Sequence, residues 1–144
     1  MEAKACAKIC DHLTHITSQK TIVVVTRFTA QKQLIRYYLQ KLRHPDIKVT
    51  TTTGALGTQA DIVLFSLVRN NSERNVGAVG TLQDLNVAIS RAKEKLIIIG
   101  NFDMMLNGWT TASSMSHRKS PARSLAQLID TKYGKVIDTP QILV

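Results

Sequence analysis

The chain has 144 residues, 44% of them hydrophobic, and 19 Lys+Arg against 10 Asp+Glu for a net charge of +9. This length predicts a single domain over residues 1–144 with an ordinary core, and the positive surplus favours a polyanionic partner, nucleic acid foremost. No stretch reaches the roughly 18 apolar residues of a membrane span, and MEAKACAKICDHL lacks the apolar core of a signal peptide; an intracellular protein without a membrane partner is expected, cytoplasmic or nuclear, or in the host cytoplasm if viral.

Glu2 to about Thr17 reads as an amphipathic helix. It carries Cys6, Cys10, His12 and His15, a set that invites a metal site. On a helix the two cysteines lie within about 40° of each other beside Ala3, Ile9, Leu13 and Ile16, and the histidines fall on the opposite side. One helix cannot wrap four such ligands around a tetrahedral ion, and no second ligand pair follows at zinc spacing. No metal site is expected, and the cysteines read as buried residues of a reduced protein.

Thr21–Thr26, TIVVVT, is a β-branched run too apolar for a half-exposed strand, which predicts a central parallel strand. Thr29 to about Arg43 is a predicted helix, with Ala30, Leu34, Ile35, Tyr37, Tyr38 and Leu42 toward the sheet. Lys32, Arg36 and Arg43 form its basic back, read as a solvated face ahead of a nucleic-acid contact. Ile47–Thr53 is a Thr-rich strand that runs into the turn segment Gly54–Gly57, and Asp61 opens an apolar strand over Ile62–Leu67. Val68–Gly80, polar and glycine-punctuated, predicts a loop or weak hairpin.

Leu85–Asn101, LNVAISRAKEKLIIIGN, is the most informative stretch. A helix over Leu82–Arg91 feeds straight into an apolar strand, Lys95–Gly100, which sets Arg91 at the lip of a buried parallel sheet, where α/β proteins put chemistry. An arginine held there is able to lean into a neighbouring domain and neutralise charge on a transferring phosphate. Its ordinary alternative is a cation favoured by the dipole at a helix C-terminus. Gly108–Ser120 is a predicted loop, Pro121 starts a helix through Ser124, Leu125, Leu128 and Ile129, and Lys135–Asp138 is a short strand. Alternating strands and helices predict an α/β fold: an open, mostly parallel sheet with helices on both faces. No G-x-x-x-x-G-K-[ST] phosphate loop and no acidic pair after a strand occur, so the chain is not expected to bind ATP·Mg²⁺ by itself in the usual way.

The succession T-R-F-T-A-Q, T-T-T-G-A-L-G-T-Q-A-D, V-R-N-N and L-N-V-A-I-S-R-A-K with I-I-I-G-N resembles the second, C-terminal RecA-like domain of superfamily 1 helicases. It is most similar to the group of the nonsense-mediated-decay helicase, senataxin and the nidovirus helicases. The likeness covers nearly the whole chain, S-L-A-Q-L-I-D-T-K-Y-G-K-V-I-D at its end included. L-N-V-A-x-[ST]-R-A-K is highly specific, and the other elements persuade through their order.

The resemblance implies a three-layer α/β/α RecA-like domain of the P-loop NTPase fold. It implies that Arg91 is an arginine finger reaching the γ-phosphate across an interdomain cleft. The family's central element, T-V-D-x-F-Q-G-x-E-x-D, is matched at Gly57, which would approach the nucleotide, and at Asp61. Thr53 stands in place of its first aspartate, Leu56 in place of its glutamine and Gln59 in place of its glutamate. Gln59 keeps a side chain able to hydrogen-bond a ribose hydroxyl and loses the charge. Thr29, Thr51, Thr53 and Arg69 match nucleic-acid-contacting positions, suited to sequence-neutral backbone contact; Gln31 matches a glutamine of less defined role. The family's Pro-Arg-Arg-like stretch before L-N-V is missing here. ATP and Mg²⁺ are the implied cofactors, bound mainly by an N-terminal RecA-like domain of the same protein, and single-stranded RNA or DNA is the implied substrate. The resulting reading is the C-terminal motor domain of an ATP-dependent helicase, inactive alone. Its rival is a non-catalytic basic nucleic-acid-binding module that retains the helicase fold.

Overall fold

Four apolar runs assemble into one sheet because their β-branched side chains find a helix layer on either face. The structure, a computed structural model, describes residues 1–68, 82–110, 118–119, 122–129, 131 and 134–137. Its elements are α1 (Glu2–Ile16), β1 (Ile22–Thr26), α2 (Thr29–Lys41), β2 (Lys48–Thr51), β3 (Ala60–Ser66), α3 (Leu82–Arg91), β4 (Ala92–Ile99), α4 (Phe102–Asn107), β5 (Trp109–Thr110), β6 (Arg118–Lys119) and α5 (Ala122–Leu128). The main sheet is all parallel in the order β2-β1-β3-β4, with β5 and β6 in a separate antiparallel ribbon. β1 is interior, as its composition predicts.

The period of two in the strands sorts the core into two layers. Val49, Val24, Leu64 and Ile97 lie in one row across the sheet and pack with Cys6, Cys10 and Leu13 of α1 and Ile35 and Leu39 of α2. Val23, Val25, Val63 and Phe65 face the other way, against Leu85 and Ala88 of α3, Met105 of α4 and Ala126 of α5. Each large apolar side chain so buried contributes about 1.5–3 kcal/mol. Both cysteines are fully buried and free, and burial pushes each thiol up to about 12. Ile16, read onto the same apolar face, is instead 62% exposed at the last turn of α1.

Several expected boundaries shift. The buried stripe of α2 is Gln31, Ile35 and Leu39, with Ala30, Leu34, Tyr37 and Leu42 outside. The helix is turned because Gln31 can occupy a core position once its amide is satisfied by Ser66 Oγ at 3.2 Å. β2 ends at Thr51, so Thr53 belongs to the turn, and β4 begins at Ala92, without a linker after α3. α4 was not expected; its signal is Asn101, whose side chain accepts from Met104 N at 3.1 Å as the N-cap. Residues 134–137 are not a strand, contrary to the expectation for Lys135–Asp138, since a β-branched pair such as Val136-Ile137 makes a strand only where a neighbour supplies a ladder. Residues 69–80, which contain Arg69 and most of the expected loop, and 111–117 lie outside the described residues.

Candidate functional site

In a parallel sheet all strands start at one edge and finish at the other, and the described residues among those singled out in the sequence divide between those edges. β3 alone is 7 residues long, which separates them by about 20 Å.

The starting edge collects Gly57, Gln59 and Arg91. Ala60 pairs with Ala92, so Gln59 and Arg91 each stand one residue ahead of a paired position on neighbouring strands. Between Ala60/Ile62 and Ala92/Lys95 the register slips by one residue, a bulge of the kind that re-aims side chains near sites. Arg91, the last residue of α3, has a half-buried side chain whose Nε and Nη2 donate to Ser90 Oγ at 3.2 and 3.0 Å. Among the described residues no carboxylate pairs with it. Gly57 has φ +77°, and the space where its Cβ would project is open; the backbone conformation, not crowding, requires glycine there. Leu56 and Gln59 are exposed beside it. The sequence reading put Arg91 where α/β proteins place chemistry, and the structure corrects it: that rule concerns the finishing ends of strands, and Arg91 stands at the start of β4.

The carboxylates of the starting edge are engaged internally. Asp61 Oδ2 accepts from Thr21 N and Oγ1, both at 2.8 Å, while Asp61 N donates to Thr21 Oγ1 at 2.9 Å. These bonds hold the Asp61 carboxyl below its ordinary 3.8. Glu94 pairs with Lys20. Among the described residues no group of three His, Cys, Asp or Glu is placed to hold a metal ion. α3 adds an open hollow of about 670 Å³ lined by Gln83, Asn86, Val87, Ile89 and Ser90, the last being the residue that holds Arg91.

The finishing edge collects the threonines. Thr51 is paired with Thr26, Thr29 opens α2 and is exposed, and Thr53 is exposed two residues past β2. Thr51 Oγ1 accepts from Gly54 N at 3.2 Å. A Cβ on Gly54 would fall 2.5 Å from Thr50 Oγ1, so the turn closes only with glycine. Eight residues, 52–59, carry the chain from this edge back to the starting edge across β1, fewer than the dozen or more usual for a parallel crossover. Thr53 and Gln59 are therefore two ends of one short link, anchored midway by the fully buried Ala55.

Sequence reasoning missed four groups at the finishing edge. Asp84 is buried and accepts from Arg27 Nη1 at 3.0 Å, which ties the exit of β1 to the first turn of α3. Glu2 and Ser66 bond to each other at 2.6 Å. The signal for Asp84 and Arg27 was the acid just before L-N-V and the arginine in T-R-F-T; neither spacing reveals their contact.

Together these features define a RecA-like domain of the superfamily 1 helicase type. The chain belongs to the AAA domain family, whose profile matches residues 1–103. It is 28% identical over 104 residues to DNA polymerase alpha-associated DNA helicase A of Saccharomyces cerevisiae, covering 69% of this chain and 15% of that protein. It is 29% identical over 126 residues to Regulator of nonsense transcripts 1 of Dictyostelium discoideum, covering 83% and 10%. With the human probable helicase senataxin it shares 36% identity over 92 residues, covering 62% and 3%. The chain thus spans no more than 15% of the length of these relatives. No described helix is long and apolar enough to cross a membrane.

Proposed function

We propose that residues 1–144 form the C-terminal motor domain of an intracellular ATP-dependent helicase that acts on single-stranded RNA or DNA. An N-terminal RecA-like domain of the same protein holds the phosphate loop and Mg²⁺, and ATP binds between the two. Closure brings Arg91 to the γ-phosphate, where it neutralises charge that builds up in transfer, while Gly57 and Gln59 border the nucleotide. Thr29, Thr51 and Thr53 hold the strand's phosphates at the other edge, with Arg69 a further phosphate contact, and the 52–59 link lets opening and closing at one edge be felt at the other. The observation that carries this reading is Arg91 itself: a half-buried arginine at a helix–strand junction, beside Gln59, bonded to Ser90 and to no carboxylate among the described residues.

The test is ATP hydrolysis by the complete protein with and without single-stranded RNA and DNA. Turnover stimulated by the single strand, with none from residues 1–144 alone, is the expected result. Salt-sensitive binding of single strands by a complete protein that hydrolyses no ATP would overturn the motor and leave the basic binding module in its place.

A further inference from the structure

Val68 lies two residues past β3 with φ +65°. A β-branched residue is a real outlier in that left-handed region, and such a conformation persists only where surrounding contacts over-determine it. The contact here is Glu2. Its Oε1 accepts the Val68 N–H at 2.9 Å and the Ser66 hydroxyl at 2.6 Å. Ser66 Oγ accepts in turn from the buried Gln31 amide at 3.2 Å. One carboxylate oxygen thereby ties the first turn of α1 to the end of β3 and, through Ser66, to the first turn of α2, all at the finishing edge.

We propose that Glu2 is a positioning residue for single-strand binding: it holds Val68 in its left-handed conformation and so sets how the chain leaves β3 at the edge that also carries Thr29 and Thr51. This rests on the nucleic-acid reading of that edge. Glu2 does not touch the strand, since its charge repels phosphate and its Oε1 already accepts two donors. A different role, an acid favoured by the dipole at the start of α1, would contribute to stability without regard to the conformation of Val68.

Glycine at position 68 separates the two, because it adopts φ near +65° without strain and has no need of Glu2 to hold it there. In the complete protein, affinity for labelled oligouridine and oligothymidine at fixed salt is measured for wild type, E2A, E2Q, V68G and E2A/V68G, with thermal midpoint and nucleic-acid-free ATP turnover alongside. E2A is expected to weaken single-strand binding about tenfold with turnover unchanged, E2Q less, and V68G in the E2A background to restore most of the affinity. If E2A does not fold, E2Q with and without V68G carries the comparison. Wild-type affinity in E2A and E2Q, or a loss that V68G does not restore in a folded protein, overturns the positioning role and leaves the function reading intact. A wild-type protein that binds neither oligonucleotide overturns the reading of the edge, and this proposal with it.

Discussion

The two edges of the sheet differ in which polar groups are left over among the described residues: Thr26 Oγ1, buried without a hydrogen-bond partner, at the finishing edge, and the Arg91 guanidinium, without a carboxylate, at the starting edge. At the finishing edge Gln31, Ser66, Glu2 and the Val68 amide form a closed chain of hydrogen bonds, and Arg27 meets the buried Asp84. At the starting edge the carboxylates are closed off in the same way, Asp61 by Thr21 and Glu94 by Lys20, yet Arg91 bonds to Ser90 and, among the described residues, to no carboxylate, and the space beside Gly57 is open. The finishing edge, by contrast, is tied together by hydrogen bonds that join the starts of α1 and α2 to the end of β3.

The contrast is broken most sharply at Arg91. In the complete protein Arg91→Ala is expected to cut ATP turnover by roughly 10³-fold or more while nucleotide binding stays largely intact; near-normal turnover would remove the finger role. The next effect belongs to the finishing edge. Arg27→Ala takes from buried Asp84 one of its partners and should cost about 1–3 kcal/mol of stability, read as a lowered midpoint in denaturant, with Arg27→Lys costing less. An unchanged midpoint would mean that the closed network there is ornamental. The smallest effect sharpens the starting edge. Because Asp61's folded value is lowered below 3.8, the stability it contributes is present above that pH and is lost as pH falls through the lower folded value. Asp61→Asn should therefore be less stable than wild type at neutral pH, and the difference should shrink as the solution is acidified. A difference that persists unchanged into strong acid would show that the Thr21 bonds do not depend on the carboxylate's charge.

The strands of the main sheet were legible because a buried parallel strand needs continuous apolar, β-branched sequence, as in TIVVV and KLIII, whereas the two-residue strands β5 and β6 lie inside the segment 108–120 expected to be a loop, where no apolar run marks them. α1 and α3 were legible to within a residue for the related reason that an amphipathic period matches one helix. The face of α2 was not: its burial depends on Gln31 finding Ser66, a partner 35 residues away, and a residue read as polar changes sides once that partner exists. Arg91 and Gly57 stood out through their motifs, whereas Glu2, Ser66, Arg27 and Asp84 are ordinary residue types whose meaning is their contacts. The contact between Arg27 and Asp84 spans 57 positions, and no local pattern encodes it.

From sequence alone residues 1–144 are an α/β domain of helicase type in which no phosphate-loop motif occurs, because strand composition, helical period and the L-N-V-A-I-S-R-A-K element are local properties of the chain. Only the tertiary structure decided that the described candidate residues fall on opposite edges of the sheet, that Gln59 and Arg91 each precede a paired residue of adjacent strands, and that an eight-residue link joins Thr51 to Ala60 across β1. Those facts follow from strand order and register, which arise when distant segments pack against one another.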